Sequence, residues 1–143
     1  MRTVNILSFL IVLLGCAKEA VTQSTEFEAN KEKWESTEIE DYSFVLRIMC
    51  FCAPETTEPK TIVVKGGEIT TVNGKPYDPE QNWGVVTISD LFDKIENITP
   101  QNPAVLNVTY DTKYGFPSSL YIDRDEMIAD EEIGYSVSDF SPL

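Results

Sequence analysis

The chain has 143 residues, enough for one domain with a substantial core and too few for two. Its 24 acidic and 11 basic residues give a net charge of −13, a surface that repels nucleic-acid phosphates and anionic headgroups. It contains no histidine, which removes the commonest general base, the commonest transition-metal ligand and every Ser–His or Cys–His nucleophile arrangement.

Met1-Arg2 leads into an apolar run, Val4 to Leu14, broken only by Asn5 and Ser8 and followed by Gly15 and Cys16. A basic start, a short apolar stretch and a small residue before a cut describe a secretory signal. The run is shorter than the roughly 20 residues a bilayer span requires. Leu13-Leu14-Gly15-Cys16 resembles the lipobox of bacterial lipoproteins, which implies a signal peptide over 1–15 and a lipidated Cys16 as the new N-terminus. The alternatives are a plain signal with an incidental cysteine, or an anchor that is never cut. Cleavage after Gly15 would remove one basic residue, Arg2, and no acidic one, leaving 128 residues with a net charge of −14. The resemblance implies a bacterial cell-envelope location and contact with the membrane through the N-terminal lipid. Ala17 after Cys16 resembles the outer-membrane sorting pattern of Gram-negative lipoproteins.

Residues 16–25 read as the lipidated cysteine and a short polar tether, and 26–143 as a single domain. Thr25-Glu26-Phe27-Glu28 has the form of a capping box and predicts a helix of about ten residues with Phe27 and Trp34 on one face. From Tyr42 the period becomes two: Tyr42, Phe44, Leu46, Ile48, Cys50 and Cys52 share one side of a strand that ends at Pro54. Glu55 to Pro59 reads as a polar loop. Thr61–Lys65 and Glu68–Asn73 flank Gly66-Gly67 as a hairpin, and Gly74–Trp83 is a loop. Thr87–Ile98 carries the clearest helical stripe, Ile88, Leu91, Phe92, Ile95 and Ile98, with Thr87 as cap and Pro100 and Pro103 as stops. Ala104–Tyr110, Ser118–Asp123 and Ile133–Phe140 are three further extended runs.

The order helix, three strands, helix, three strands predicts an α+β fold: an antiparallel sheet of about six strands with two helices on one face. The pattern hints at an internal duplication in which Val63–Val72 corresponds to Leu120–Val137. By analogy it is similar to the helix-plus-meander repeats of propeptide-like inhibitory domains and β-lactamase-inhibitor-type proteins, which licenses no function. Several stretches together resemble a family of bacterial envelope lipoproteins known only as a domain of unknown function. They are Trp34; Asp41-Tyr42-Ser43-Phe44 leading to Cys50-Phe51-Cys52; Thr87 to Asp93; Val108 to Asp111 through Tyr114-Gly115-Phe116-Pro117 to Tyr121-Ile122-Asp123; and Ile128 to Glu132 with Tyr135. The resemblance spans roughly Trp34 to Phe140 and transfers no catalytic residue.

Three groups of side chains carry candidate chemistry. Cys50 and Cys52, in an oxidising compartment, point to a structural disulfide. In a regular strand their Cα atoms would lie about 6.5 Å apart, so the bond requires a local bend. Thiol redox exchange is the sharper reading. Metal binding by this pair is disfavoured, since two thiolates without a second pair make no closed zinc site. The acidic turn offers Asp123, Asp125 and Asp130 as weak calcium candidates, although Met127 occupies a ligand position and a solvated turn explains the charge as well. Tyr77, Trp83, Tyr114 and Phe116 are candidates for an aromatic ligand platform, against a plain packing role for the Tyr114–Pro117 turn. No catalytic pair, metal or cofactor is singled out. The leading expectation is a non-enzymatic binding module that engages an envelope protein through its sheet or loops. The alternatives are a carboxylate-based hydrolase, a thiol-redox enzyme or a calcium-dependent binder.

Overall fold

The computed structural model describes the backbone from Cys16 to Leu143 and the side chains from Ser24 onward. The signal expected over residues 1–15 and the side chain of Cys16 lie outside the described residues. In chain order the elements are α1 (Cys16–Glu35), β1 (Tyr42–Met49), a single-turn α2 (Pro54–Thr57), β2 (Lys60–Lys65), β3 (Glu68–Val72), β4 (Lys75–Pro76), α3 (Ile88–Ile98) with a 3-10 turn at Thr99–Gln101, β5 (Val105–Tyr110), β6 (Pro117–Asp123) and β7 (Ile133–Pro142). No helix among the described residues is long and apolar enough to cross a membrane.

The strands form one antiparallel sheet in the order β4-β3-β2-β1-β7-β6-β5. The fold is α+β as expected, with seven strands in place of about six. The extra strand is the two-residue β4, which pairs Thr71 and Val72 with Pro76 and Lys75. Its shortness, its proline and its lysine blunt that edge against further pairing. A second difference concerns α1. It begins at Cys16, so Thr25 lies inside the helix and caps no N-terminus. Residues 17–23, Ala-Lys-Glu-Ala-Val-Thr-Gln, hold no Gly or Pro, so their sequence fits a helix as readily as a coil.

One face of the sheet carries the core. Tyr42, Phe44, Leu46 and Ile48 alternate along β1 and are almost fully buried, joined by Ile62, Val64, Leu120, Ile122, Tyr135 and Val137 from neighbouring strands. Each such side chain contributes roughly 1.5–3 kcal/mol by leaving water. α3 lays its whole apolar stripe on this face, with all five predicted residues buried. Thr87 caps it: its Oγ1 accepts the Asp90 N–H at 3.0 Å, and the Asp90 carboxylate accepts the Thr87 N–H at 2.7 Å. α1 is mostly polar and holds on through Phe27 and Trp34. The Trp34 indole stands edge-on to Tyr42 at 5.6 Å, Phe116 at 6.0 Å and Phe140 at 5.7 Å. Edge-to-face pairs add about 0.5–1.5 kcal/mol each beyond area burial.

The two halves of the chain are not repeats in space. From β3 to β1 and from β7 to β5 the halves are laid out in the same spatial order, yet β1 and β5 run in opposite directions. A rotation about an axis normal to the sheet reverses order and direction together, and a translation reverses neither. A rotation about an in-plane axis across the strands reverses direction alone but would put the two helices on opposite faces, whereas both pack on one. The recurring helix and three strands therefore reflect antiparallel packing with one helix per half.

Register defines two ends of the sheet. At the Met49 end, β1 finishes, β7 begins opposite it, and the β6–β7 turn and residues 50–59 project. At the Tyr42 end lie the Gly66-Gly67 turn, the Asp111–Phe116 turn and the C-terminus.

Candidate functional site

The sheet's other edge among the described residues, β5, shapes the larger cleft. Its inward side chains Leu106, Val108 and Tyr110 are only half-buried, because α1 and α3 meet over the sheet without closing on its margin. Ser24 to Glu28 of α1 and the end of α3 stand across from them and enclose a groove of about 480 Å³. Phe27, Ile95 and Pro103 complete its apolar wall. Phe27 meets Phe92 edge-on at 6.0 Å, and Phe92 stacks on Tyr110 at 6.4 Å. Burial, and secondarily the charge of Glu26, pushes the Tyr110 hydroxyl up to about 12. Lys31 donates to Glu96 at 2.8 Å beside the groove, and that hydrogen bond holds the Lys31 ammonium above its ordinary pKa. The groove has the size of a ligand pocket, and its chemistry is that of apolar contact.

A second, shallower cleft of about 360 Å³ opens at the Met49 end. Trp83, Ile133 and the buried Tyr135 line it, with Lys94 and Arg124 at its border. The Lys94 ammonium sits 5.5 Å from the centre of the Tyr135 ring. Burial pushes the Tyr135 hydroxyl up to about 12, with the positive charge of Arg124 acting the other way.

Cys50 and Cys52 are joined, with their Cα atoms 5.3 Å apart. The strand ends at Met49 and both cysteines lie in a bend, which supplies the departure from regular geometry that the pairing requires. The following segment, expected to be a loop, forms the α2 turn. The ammonium of Lys60, almost fully buried, gathers it by donating to the carbonyl oxygens of Glu55, Thr56 and Glu58 at 2.7, 2.9 and 3.1 Å. Sequence reasoning missed Lys60. The available signal was a lysine two places before Ile62 and four before Val64, on the inward phase of a strand.

Two carboxylates of the acidic turn, Glu131 and Asp125, bond to its own backbone. Glu131 accepts from the amides of Arg124 at 2.8 Å and Asp125 at 2.7 Å, and Asp125 accepts from Met127 at 3.0 Å. Asp123 keeps one buried oxygen without a hydrogen-bond partner. Asp130 takes a left-handed φ of 69° within the turn. Among the described residues no three Cys, Asp or Glu side chains come together as a metal-holding group, and Asp123, Asp125 and Asp130 are not brought to a common point.

The four aromatic candidates do not share one surface. Phe116 is buried in the core beside Trp34, and Tyr114 packs on Phe140 at 4.9 Å, both at the Tyr42 end. Tyr77 is half-buried beyond β4, and its N–H bonds to Thr70. Trp83 alone is largely exposed, at the Met49 end. The β-turn that holds Tyr114 and Phe116 is fixed by the core, which a sequence with one aromatic every ten residues leaves open.

An antiparallel sheet with two helices on one face, an apolar groove at its edge and a polar opposite face defines an α+β domain. The chain belongs to the family of unknown function DUF6174, whose model matches residues 26–142. No curated protein and no solved structure is significantly similar to it.

Proposed function

We propose that this protein is a non-enzymatic binding module of the bacterial cell envelope, lipid-anchored through Cys16, in the outer membrane of a Gram-negative cell. The groove between α1, α3 and β5 takes an apolar segment of an envelope protein. What supports this reading is the wall of that groove: Phe27, Ile95, Leu106, Val108 and Tyr110 present hydrocarbon and aromatic surface in a volume of about 480 Å³. Of the two carboxylates in its lining, Glu28 and Glu96, the second is engaged by Lys31. The N-terminal part of the reading is supported by the signal-like run and the Leu13–Cys16 motif.

The test is crosslinking in the native envelope. A photo-reactive side chain placed at Val108 should capture a protein that the same probe at Glu68, on the far side of the sheet, does not. Leu106→Glu should abolish the adduct. The mass of the mature N-terminal peptide should carry acyl chains on Cys16. Absence of a groove-specific adduct overturns the binding site, and an N-terminus other than Cys16 overturns the anchor.

A further inference from the structure

Among the described residues six large apolar side chains are substantially exposed: Met49 at 41%, Phe51 at 79%, Trp83 at 60%, Met127 at 93%, Ile128 at 55% and Leu143 at 66%. Scattered single residues of this kind are ordinary surface. These are not scattered. Met49 ends β1, and Phe51 follows it. Met127 and Ile128 tip the β6–β7 turn, which begins beside Ile133, and Ile133 neighbours the Gly134 that faces Met49. Trp83 borders the cleft lined by Ile133 and Tyr135, and the adjoining Gly84 lies against Ile48, where an added Cβ would stand 3.1 Å from the Ile48 Cδ1. Five of the six, from three separate segments, thus project from the Met49 end.

The first helix borders a groove that opens toward the same end. Its last turns are at the Tyr42 end: the Lys33 ammonium donates to the Thr112 carbonyl at 2.6 Å, and Trp34 packs on Tyr42. Ser24, ten residues earlier, walls the groove that reaches Pro103 and Ala104. The Ala104 N–H bonds to the Arg124 carbonyl at 3.2 Å, which places that part of the groove at the Met49 end. Traced backwards, α1 leaves the Tyr42 end, passes Tyr110 and Phe92 at Glu26 and Phe27, and enters the groove that runs along β5 from Tyr110 to Ala104; eight more residues, about 12 Å of helix, lead to Cys16.

We propose that the Met49 end faces the lipid bilayer, with Phe51, Trp83, Met127 and Ile128 entering the headgroup region beside the acylated Cys16. The inference rests, for the anchor, on the lipoprotein reading above. Trp is the side chain best suited to the interface, with an apolar body and an N–H donor. The surface is one of zwitterionic headgroups. Asp125, Glu126 and Asp130 in the β6–β7 turn repel anionic lipid, and Arg124 is paired with Glu131 at 3.4 Å, whereas Lys94, beside Trp83, offers positive charge to phosphate. Docked in this way the strands stand upright and the polar sheet face looks sideways, free for other contacts.

The two tryptophans make the test direct, since Trp34 is buried and Trp83 is exposed. The mature protein, purified from membranes, is placed in phosphatidylcholine vesicles with brominated acyl chains, and its emission is compared with that in unbrominated vesicles. Trp83→Phe, an exposed change, isolates the Trp34 signal and gives Trp83 by difference. Loss of Trp83 emission with Trp34 unchanged is the expected result. A smaller loss is expected in phosphatidylglycerol vesicles and in the Phe51→Ser/Met127→Ser double variant, whose intact fold is read from its circular dichroism. The mass of Cys16 is read on the same samples. Acylated, vesicle-bound protein whose Trp83 is unquenched, for example because the tips are covered by a protein partner, overturns the proposal and leaves the anchor standing. Quenched Trp83 in a product without acyl mass supports the docking end and overturns the anchor. Neither signal overturns both.

Discussion

The phenolic oxygen of Tyr42 accepts the backbone N–H of Ile88 at 3.2 Å, tying the first residue of the central strand to the first turn of α3. Ile88 is fully buried, so its amide has no access to water. Tyr42→Phe keeps the ring in place beside Trp34 and leaves that N–H unsatisfied. A loss of about 1–3 kcal/mol is expected. It will be read as a lower urea midpoint at an unchanged denaturant slope.

Alkaline pH should unfold the domain through buried phenols. Burial pushes the hydroxyls of Tyr42, Tyr110 and Tyr135 up to about 12 from 10.0. The folded state holds these protons more tightly than the unfolded state does. Their contribution to stability is therefore complete below pH 10 and is lost as pH rises from about 10 to 12. Tyrosinate absorbance and circular dichroism should change together across that window. Full ionisation of these phenols in a chain that stays folded would contradict the expectation.

Gly115 has a φ of 84° and lies against α1. A Cβ there would stand 2.7 Å from the Asn30 carbonyl oxygen and 3.0 Å from the Lys33 Cβ. Gly115→Ala combines a left-handed backbone with a clash against the helix, and about 2 kcal/mol or more should be lost. Gly66→Ala, at a φ of 57° with open space around it, meets only the backbone term of roughly 1–2 kcal/mol. Thermal melts of the two variants should rank in that order.

The Cys50–Cys52 bond closes a very short loop. Chain entropy then accounts for less than about 2 kcal/mol, and the Cys50→Ser/Cys52→Ser double variant should fold. Reduction of the parent protein should release two thiols with only a modest fall in melting temperature.

Lys60 is the buried cation that organises the α2 turn, and Lys60→Met removes three donors from the carbonyls of Glu55, Thr56 and Glu58. Losing these charge-assisted contacts should cost about 1–3 kcal/mol. Amide exchange should accelerate first over residues 54–58, next to the disulfide, while β1 and β7 stay protected.

Much of the fold was legible because it rests on local rules. The alternation Tyr42-Phe44-Leu46-Ile48, the stripe of α3 and the Thr87–Asp90 cap are written in spacings of two, of three to four, and of three. A strand or helix with one buried face has no other way to satisfy them. The Gly66-Gly67 turn follows equally from the positive φ that only glycine adopts readily, here 57° and 78°. The start of α1 was not legible. Polar helix-forming residues between Ala17 and Gln23 carry no apolar period, so their sequence does not distinguish a tether from a solvated helix.

Taken alone, the residues of this chain determine an antiparallel α+β domain and a chemistry without histidine, because each depends on composition or on short-range order; the bend that lets Cys50 and Cys52 pair came with the fold. Tertiary structure decided everything that depends on distant segments meeting. It buried Phe116 and left Trp83 outside, placed Leu106, Val108 and Tyr110 beside a groove, drew Lys60 inward and gathered Phe51, Trp83 and Met127 at one end of the sheet. The physical reason is that side-chain period fixes which face a residue occupies, while strand order and helix direction fix what that face meets. Only the packed sheet, by setting β7 between β1 and β6, brings those segments together.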